Sequence, residues 1–321
     1  MAESSDCRSV PLPSFHLLVF LLSFRLPSSV FYLLRVHVPV LLAEVLSVLK
    51  PRKGAAVVDC TIGLGGHAAA LLTKIGPKGC LIGMDLDLAN LETARTLLKG
   101  KNVLLNHSNF AALPAILAEA GVEKVDAILA DLGVASPHFD DPSRGFSYRR
   151  DGPLDMRLDV TRGETAAQLL NRITESDLAA ALRDLGDEED ADRVAALIVK
   201  RRPIRTTTQL MRIVCEARDF TVERGFGAKL HPATRTFQAL RMLVNRELPS
   251  LQQLLRVLPD CLAPGGTAAI ISFHSGEDRL VKRAFRDGPY ADRSDEPITP
   301  SDAERKENPR ARSAKLRWAR L

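Results

Sequence analysis

The segment Val57-Val58-Asp59-Cys60-Thr61-Ile62-Gly63-Leu64-Gly65-Gly66-His67 most constrains what this chain can fold into. An apolar run ends in an aspartate, and a glycine-dense turn follows. Ala68-Ala69-Ala70-Leu71-Leu72 then continues as a good helix former. Strand, Gly-rich loop and helix in that order make the nucleotide-binding corner of an open α/β sheet. Glycine suits the loop because the backbone must turn sharply and approach a ligand with no Cβ in the way.

The same rhythm extends along the chain. Leu41, Val45, Val48 and Leu49 recur at helical spacing, and Pro51 closes that helix. Cys80-Leu81-Ile82-Gly83-Met84-Asp85 reads as a second strand, Val103-Leu104-Leu105 as a third, and Val125 to Asp131 as a fourth. Helices over 88–98 and 112–120 separate them. Alternating strands and helices predict βαβ units and a parallel sheet with right-handed crossovers. The rhythm then breaks. Residues 138–163 are turn-rich and charged, and 165–218 read as several short helices, one starting at Thr206-Thr207-Thr208-Gln209. A helix over 236–258, a Pro264-Gly265-Gly266 turn and a strand over 267–273 resume the sheet. The expected fold is an α/β domain interrupted by a helical insertion.

Composition narrows the class. With 321 residues and 45% hydrophobic content, the chain can bury a large core. Five scattered cysteines without a C-x-x-C pair predict neither a disulfide framework nor a zinc site, so a reducing cytoplasm is the default. The net charge is +5, and residues 301–321 carry seven Lys/Arg against three acids. Such a basic tail suits a polyanionic partner or is simply a solvated terminus. In residues 1–36 the longest apolar run, Leu17 to Leu22, is too short to span a bilayer. This stretch reads as a disordered or non-native extension, with translation starting near Val36, and no membrane anchor is expected.

Gly63 to Ala68 satisfies G-x-G-x-x-A, a pattern shared by binders of dinucleotides and of S-adenosylmethionine. Asp85, at a strand end, is placed either to hold ribose hydroxyls or to cap a helix. His67 is either a ligand contact or a polar residue of the helix's first turn. Asp59, Asp85 and Asp131 all end strands, so their side chains should line the carboxyl edge of the sheet. That rim repels a pyrophosphate and favours a ligand carrying an ammonium and a sulfonium. No G-x-x-x-x-G-K-[ST] occurs, which argues against an ATPase.

Longer motifs carry a more specific resemblance. They are His37-Val38-Pro39-Val40-Leu41-Leu42, the Gly63–His67 loop, Asp131-Leu132-Gly133-Val134, Ser136-Pro137, Arg144-Gly145-Phe146-Ser147 and Asp151 to Arg157. His231 to Arg241, Phe273-His274-Ser275, Glu277-Asp278-Arg279 and Asn308 to Ala314 follow. Across residues 37–321 the sequence resembles the bacterial ribosomal RNA small subunit methyltransferase H family, which methylates N4 of a cytosine in 16S rRNA. The resemblance implies a class I (Rossmann-like) S-adenosylmethionine-dependent methyltransferase sheet with an inserted helical domain. It divides the chain into methyltransferase parts at 37–140 and 231–300, a substrate-recognition insertion at 141–230, and the basic tail at 301–321. It implies S-adenosylmethionine contacts at Gly65, Gly66, His67, Asp85, Phe110 and Asp131. A further contact falls on His138, where the family has glutamine. Ala135 and Gly276 also depart, where the family favours serine and leucine. The small ribosomal subunit is the implied partner; oligomeric state is left open, a dimer included.

Cytosine N4 is a poor nucleophile because its lone pair is delocalised, so positioning dominates the chemistry. Asp131, or carbonyls of the turn after it, would accept hydrogen bonds from N4; the other reading makes Asp131 a cofactor contact only. Phe146 and Tyr148 are expected either to stack on the base or to pack their loop. Arg310, Arg312, Lys315, Arg317 and Arg320, with Trp318, suit an RNA backbone. A DNA amino-methyltransferase is disfavoured because the turn Asp131 to His138 lacks the D/N/S-P-P-aromatic pattern. An NAD-dependent oxidoreductase rests on the glycine pattern alone.

Overall fold

The computed structural model describes residues 39–100, 102–220 and 231–321. The extension at 1–36 lies outside the described residues. α1 (Leu42–Leu49) leads into β1 (Ala56–Asp59), α2 (Gly66–Ile75), β2 (Cys80–Asp85), α3 (Leu88–Leu97), β3 (Val103–His107), α4 (Leu113–Glu119) and β4 (Val125–Asp131). The short α5 (Ser136–Asp140) precedes five helices: α6 (Ala166–Arg172), α7 (Glu175–Gly186), α8 (Ala191–Lys200), α9 (Thr207–Ala217) and α10 (Ala233–Asn245). The chain then adds α11 (Glu247–Cys261), β5 (Leu262–Ser272), α12 (Ser275–Asp287), β6 (Asp292–Arg293), α13 (Asp302–Glu307) and β7 (Lys315–Arg320).

The strands form one sheet in the order β3-β2-β1-β4-β5-β7-β6. β1 to β5 pair in parallel, and β7 runs antiparallel to both its neighbours. This is the Rossmann-like class I methyltransferase sheet. Neighbouring residues alternate between its faces. Val58, Ile82 and Ile128 pack with Leu251, Leu254 and Leu258 of α11. Val57, Leu81 and Leu129 pack with Val45 of α1, Leu71 of α2 and Leu91 of α3. Both faces are covered, which is why the strands read as near-continuous apolar runs.

The helical lobe has its own core, in which Leu170, Leu182, Val194, Ile198 and Val214 meet Phe237 and Leu240 of α10. Its helices start where local chemistry directs. Thr165 with Gln168, and Thr206 with Gln209, form reciprocal capping boxes.

Two expectations from sequence are corrected. The helix anticipated over 236–258 is two helices, broken at Arg246, whose φ is 51°. Pro249 explains the break: its ring would clash with the carbonyl of Asn245 in a continuous helix. The basic segment at the C-terminal end is not a tail. Lys315 to Arg320 pair with Ser272 to Thr267, and β7 lies inside the sheet between β5 and the edge strand β6. Arg317 is 3% exposed and donates to Asp278 at 2.7 Å. No helix among the described residues is long and apolar enough to cross a membrane.

Candidate active site

The Gly-rich loop is held by main-chain bonds on both flanks. Ile62 N donates to Met84 O at 2.8 Å, and Gly65 N donates to Ile62 O at 2.8 Å. Gly65 adopts φ 88°, a region that favours glycine. Gly66 opens α2 against Pro39, where a Cβ would stand 2.5 Å from the Pro39 Cγ. The loop therefore has no room for side chains at its base.

Asp85 closes the loop from below. Its Oδ2 accepts from Gly63 N at 2.8 Å and its Oδ1 from Asp87 N at 2.8 Å. Asp87, not Asp85, caps α3, by accepting from Ala89 N. Asn90 Nδ2 stands 3.4 Å from each Asp85 oxygen, contacts long enough for a ribose hydroxyl to displace. Phe110 begins a short 3-10 turn after β3, half-buried against the core.

Three carboxylates crowd the ends of β1, β2 and β4. Burial drives the Asp59 carboxyl up to about 7, against a lowering hydrogen bond from Thr61, and the Asp85 charge adds to the rise. Burial likewise raises Asp85, despite hydrogen bonds from Asp87 and Gly63. Asp131 is pushed well above the carboxylate range by burial, then by the charges of Asp59 and Glu277. Asp131 N donates to Thr61 Oγ1 at 2.7 Å, tying β4 to the loop after β1. Asp59 Oδ2 and Asp131 Oδ1 are buried without a hydrogen-bond partner among the described residues. Buried acceptors of this kind are costly unless something completes them. An ammonium or sulfonium group does so, whereas a pyrophosphate adds repulsion. The site therefore fits S-adenosylmethionine and not a dinucleotide.

His67 stands beside this cluster, with Nε2 at 2.9 Å from Val40 O and Nδ1 at 3.7 Å from Asp131 Oδ2. His138 is 2% exposed, and its Nδ1 is buried without a hydrogen-bond partner among the described residues. Its Nε2 donates to Asp87 Oδ2 at 2.7 Å, and Arg144 Nη1 donates to the same oxygen at 2.5 Å. Arg144 Nη2 also donates to the carbonyls of Arg157 and Leu158. This cluster fastens the loop after β4 to the cap of α3. Burial alone would raise the Asp87 carboxyl, but hydrogen bonds from His138 and Arg144 hold it well below the usual range.

The aromatic pair divides. Phe146 is 4% exposed, with its ring centroid 5.2 Å from that of His138, so it packs the loop rather than offering a face to a base. Tyr148 stacks on His231 at 4.5 Å and its hydroxyl pairs with Thr234 Oγ1 at 3.0 Å. Sequence reasoning missed the acids that only folding brings near. Glu277, 3% exposed, accepts from Phe273 N at 2.9 Å while its own N–H donates to His274 Nδ1 at 3.4 Å. His274 thus caps α12 while Glu277 reaches back to the residue before the cap, and the His-x-x-Glu spacing was the available signal.

The comparisons with known proteins agree with this geometry. The MraW methylase family model matches residues 35–321. The ribosomal RNA small subunit methyltransferase H of Solidesulfovibrio magneticus is 43% identical over 313 residues, covering 88% of this chain and 95% of the relative. Those of Geotalea uraniireducens and Heliobacterium modesticaldum are each 44% identical over 308 residues, covering 88% of this chain and 97% of the relative. The match takes in the glycine loop, the acidic rim, the helical lobe and β7 alike, and the chain belongs to the MraW methylase family.

Proposed function

We propose that the protein transfers a methyl group from S-adenosylmethionine to N4 of a cytosine in 16S rRNA of the small ribosomal subunit, in the cytoplasm. The observation that carries the reading is the acidic rim, where Asp59, Asp85 and Asp131 stand together at the strand ends and Asp59 Oδ2 and Asp131 Oδ1 are buried without a hydrogen-bond partner among the described residues. S-adenosylmethionine supplies a methyl group on a sulfonium whose positive charge is lost in transfer. The chain's part is to place and desolvate. Gly65 and Gly66 keep the floor of the site open, and Asp85 accepts from ribose hydroxyls. Phe110 would border the adenine, and Asp59 would balance cationic charge.

Asp131 is the residue proposed to touch the base. As a carboxylate it accepts a hydrogen bond from the N4 amine, which orients the lone pair and provides a destination for the proton. His67 backs it. Val40 O can only accept, so His67 Nε2 carries a hydrogen, and Nδ1 faces Asp131 Oδ2 at 3.7 Å. His138 positions the loop through Asp87 and does not need to reach the cofactor.

The test is mass spectrometry of 16S rRNA nucleosides from cells with and without the gene. Loss of N4-methylated cytidine on deletion, restored by the wild-type chain, is the expected result. An unchanged level overturns the reading. Calorimetry with NAD and S-adenosylmethionine separates off the oxidoreductase alternative, because only the second should bind. Methyl transfer to DNA but not to 16S rRNA would instead select the DNA amino-methyltransferase.

A further inference from the structure

Phe273 faces two ways at the end of β5. Its ring borders the turn after Asp131, since a Cβ built on Gly133 would stand 3.5 Å from Phe273 Cδ2. It also lines a cavity of about 410 Å³. His274, Ser275, Thr299, Arg305, Arg312 and Lys315 line the same cavity, and no carboxylate is among the lining residues.

The cations there are under-compensated. Lys315 shares a single carboxylate, Asp278, with the buried Arg317. Arg305 meets Asp302 at 3.4 Å, but Asp302 is 92% exposed, so water screens that pair. Arg305 Nε is buried with no hydrogen-bond partner among the described residues. Arg312 is exposed and has no ion pair among the described residues; its Nε donates to Arg305 O at 3.4 Å. Ser275 Oγ lies 3.4 Å from Asp187 Oδ2 at the rim. A concave site with two forked guanidiniums, an ammonium and hydroxyl groups is built for a compact oxyanion. The volume leaves room for the sugar attached to it.

We propose that this cavity binds a phosphodiester of the RNA strand, next to the nucleotide whose base is methylated. Phe273 is the link, because it separates the cavity from the turn proposed to hold the amine. The proposal rests on the rRNA reading above. It also relocates the RNA contact of the basic C-terminal segment. Arg317 is spent on Asp278, whereas Arg305 and Arg312 are available.

The experiment titrates a labelled single-stranded RNA oligonucleotide into the full chain across a range of salt concentrations. The chains are the wild type, the double variant Arg305→Gln/Arg312→Gln, and Lys53→Gln as a control. Lys53 is exposed in the turn before β1, at the amino ends of the parallel strands, whereas the cavity lies past the carboxyl end of β5. Losing one phosphate contact should weaken binding about tenfold and make the log–log salt slope shallower by about 0.7. The control should match the wild type. Calorimetry with S-adenosylmethionine should give the same affinity for all three. If the double variant fails to bind the cofactor, the exposed Arg312→Gln alone is scored, with a smaller drop in the same direction expected. An unchanged slope with cofactor binding intact overturns the proposal. So does stabilisation by inorganic phosphate that the double variant loses while keeping its RNA slope, because the cavity then serves a free anion. Failure of the rRNA reading shows separately, as absence of N4-methylcytidine formation by the wild type.

Discussion

His67 Nδ1 faces Asp131 Oδ2 at 3.7 Å while His67 Nε2 is held by the Val40 carbonyl at 2.9 Å. The Val40 contact puts a hydrogen on Nε2 and leaves Nδ1 turned toward an acid that burial raises well above the usual carboxylate range. Asp131 can accept a proton only when ionised, and burial sets its ionisation above the usual carboxylate range. Single-turnover methyl transfer should therefore rise with pH beyond that range. Asp131→Asn should lower the rate by about 10²-fold or more and flatten the profile. His67→Gln should shift the profile along the pH axis while leaving RNA affinity unchanged. A wild-type-like rate in Asp131→Asn would remove Asp131 from the chemistry.

Asp59 predicts an unusual stability profile in the ligand-free protein. Its folded pKa of about 7 lies above the unfolded value of 3.8, so the folded state binds the extra proton between them. That contribution is fully present below pH 4 and is lost as pH rises through 7. The size is on the order of a few kcal/mol, since each tenfold gain in proton affinity is worth about 1.4 kcal/mol. Thermal melts of Asp59→Asn should show a smaller fall between those limits than the wild type. Parallel profiles for the two proteins would contradict it.

Gly66→Ala should weaken cofactor binding and cost about 1–3 kcal/mol of stability, because the new methyl overlaps Pro39. Gly76→Ala is the comparison. Its φ of 68° is also unfavourable, but nothing lies within 4 Å of the added Cβ. Urea denaturation and calorimetry should show both proteins less stable and only the first impaired in binding.

Arg144→Met leaves Asp87 buried with His138 as its remaining side-chain partner. Breaking one side of a buried pair costs about 3 kcal/mol or more. The variant should also lose stability at higher pH than the wild type on acidification, since the depressed Asp87 carboxyl would climb back. Denaturant midpoints across the acid range measure both effects.

Arg317→Met should destabilise the protein without changing the salt slope of RNA binding. The guanidinium is buried and paired with Asp278 rather than presented to solvent. A shallower slope in this variant would restore the segment as a direct phosphate contact.

What could be read from the sequence was what neighbours along the chain determine. The glycine loop, Asp59, Asp85 and Asp131 follow from apolar runs that stop at acids, and the Thr206–Gln209 helix start follows from its capping pattern. Lys315-Leu316-Arg317-Trp318 alternates polar and apolar, the period of a strand, but its charge drew the reading toward a solvated tail. The Arg246 break was signalled by Pro249 alone, inside an otherwise helical pattern. Glu277 beside Asp131, and Arg144 on Asp87, join segments far apart in the chain. No local periodicity reports such pairings.

The seam between β4 and β5 sets Asp131 opposite Ile271. The whole helical lobe lies between those partners in the chain. The core of that lobe joins Leu170 and Leu182 to Phe237 and Leu240, so its packing draws the ends of the segment together and lowers the entropic cost of closing the ladder. A loosened lobe core would therefore be felt at Asp131, without any contact to it.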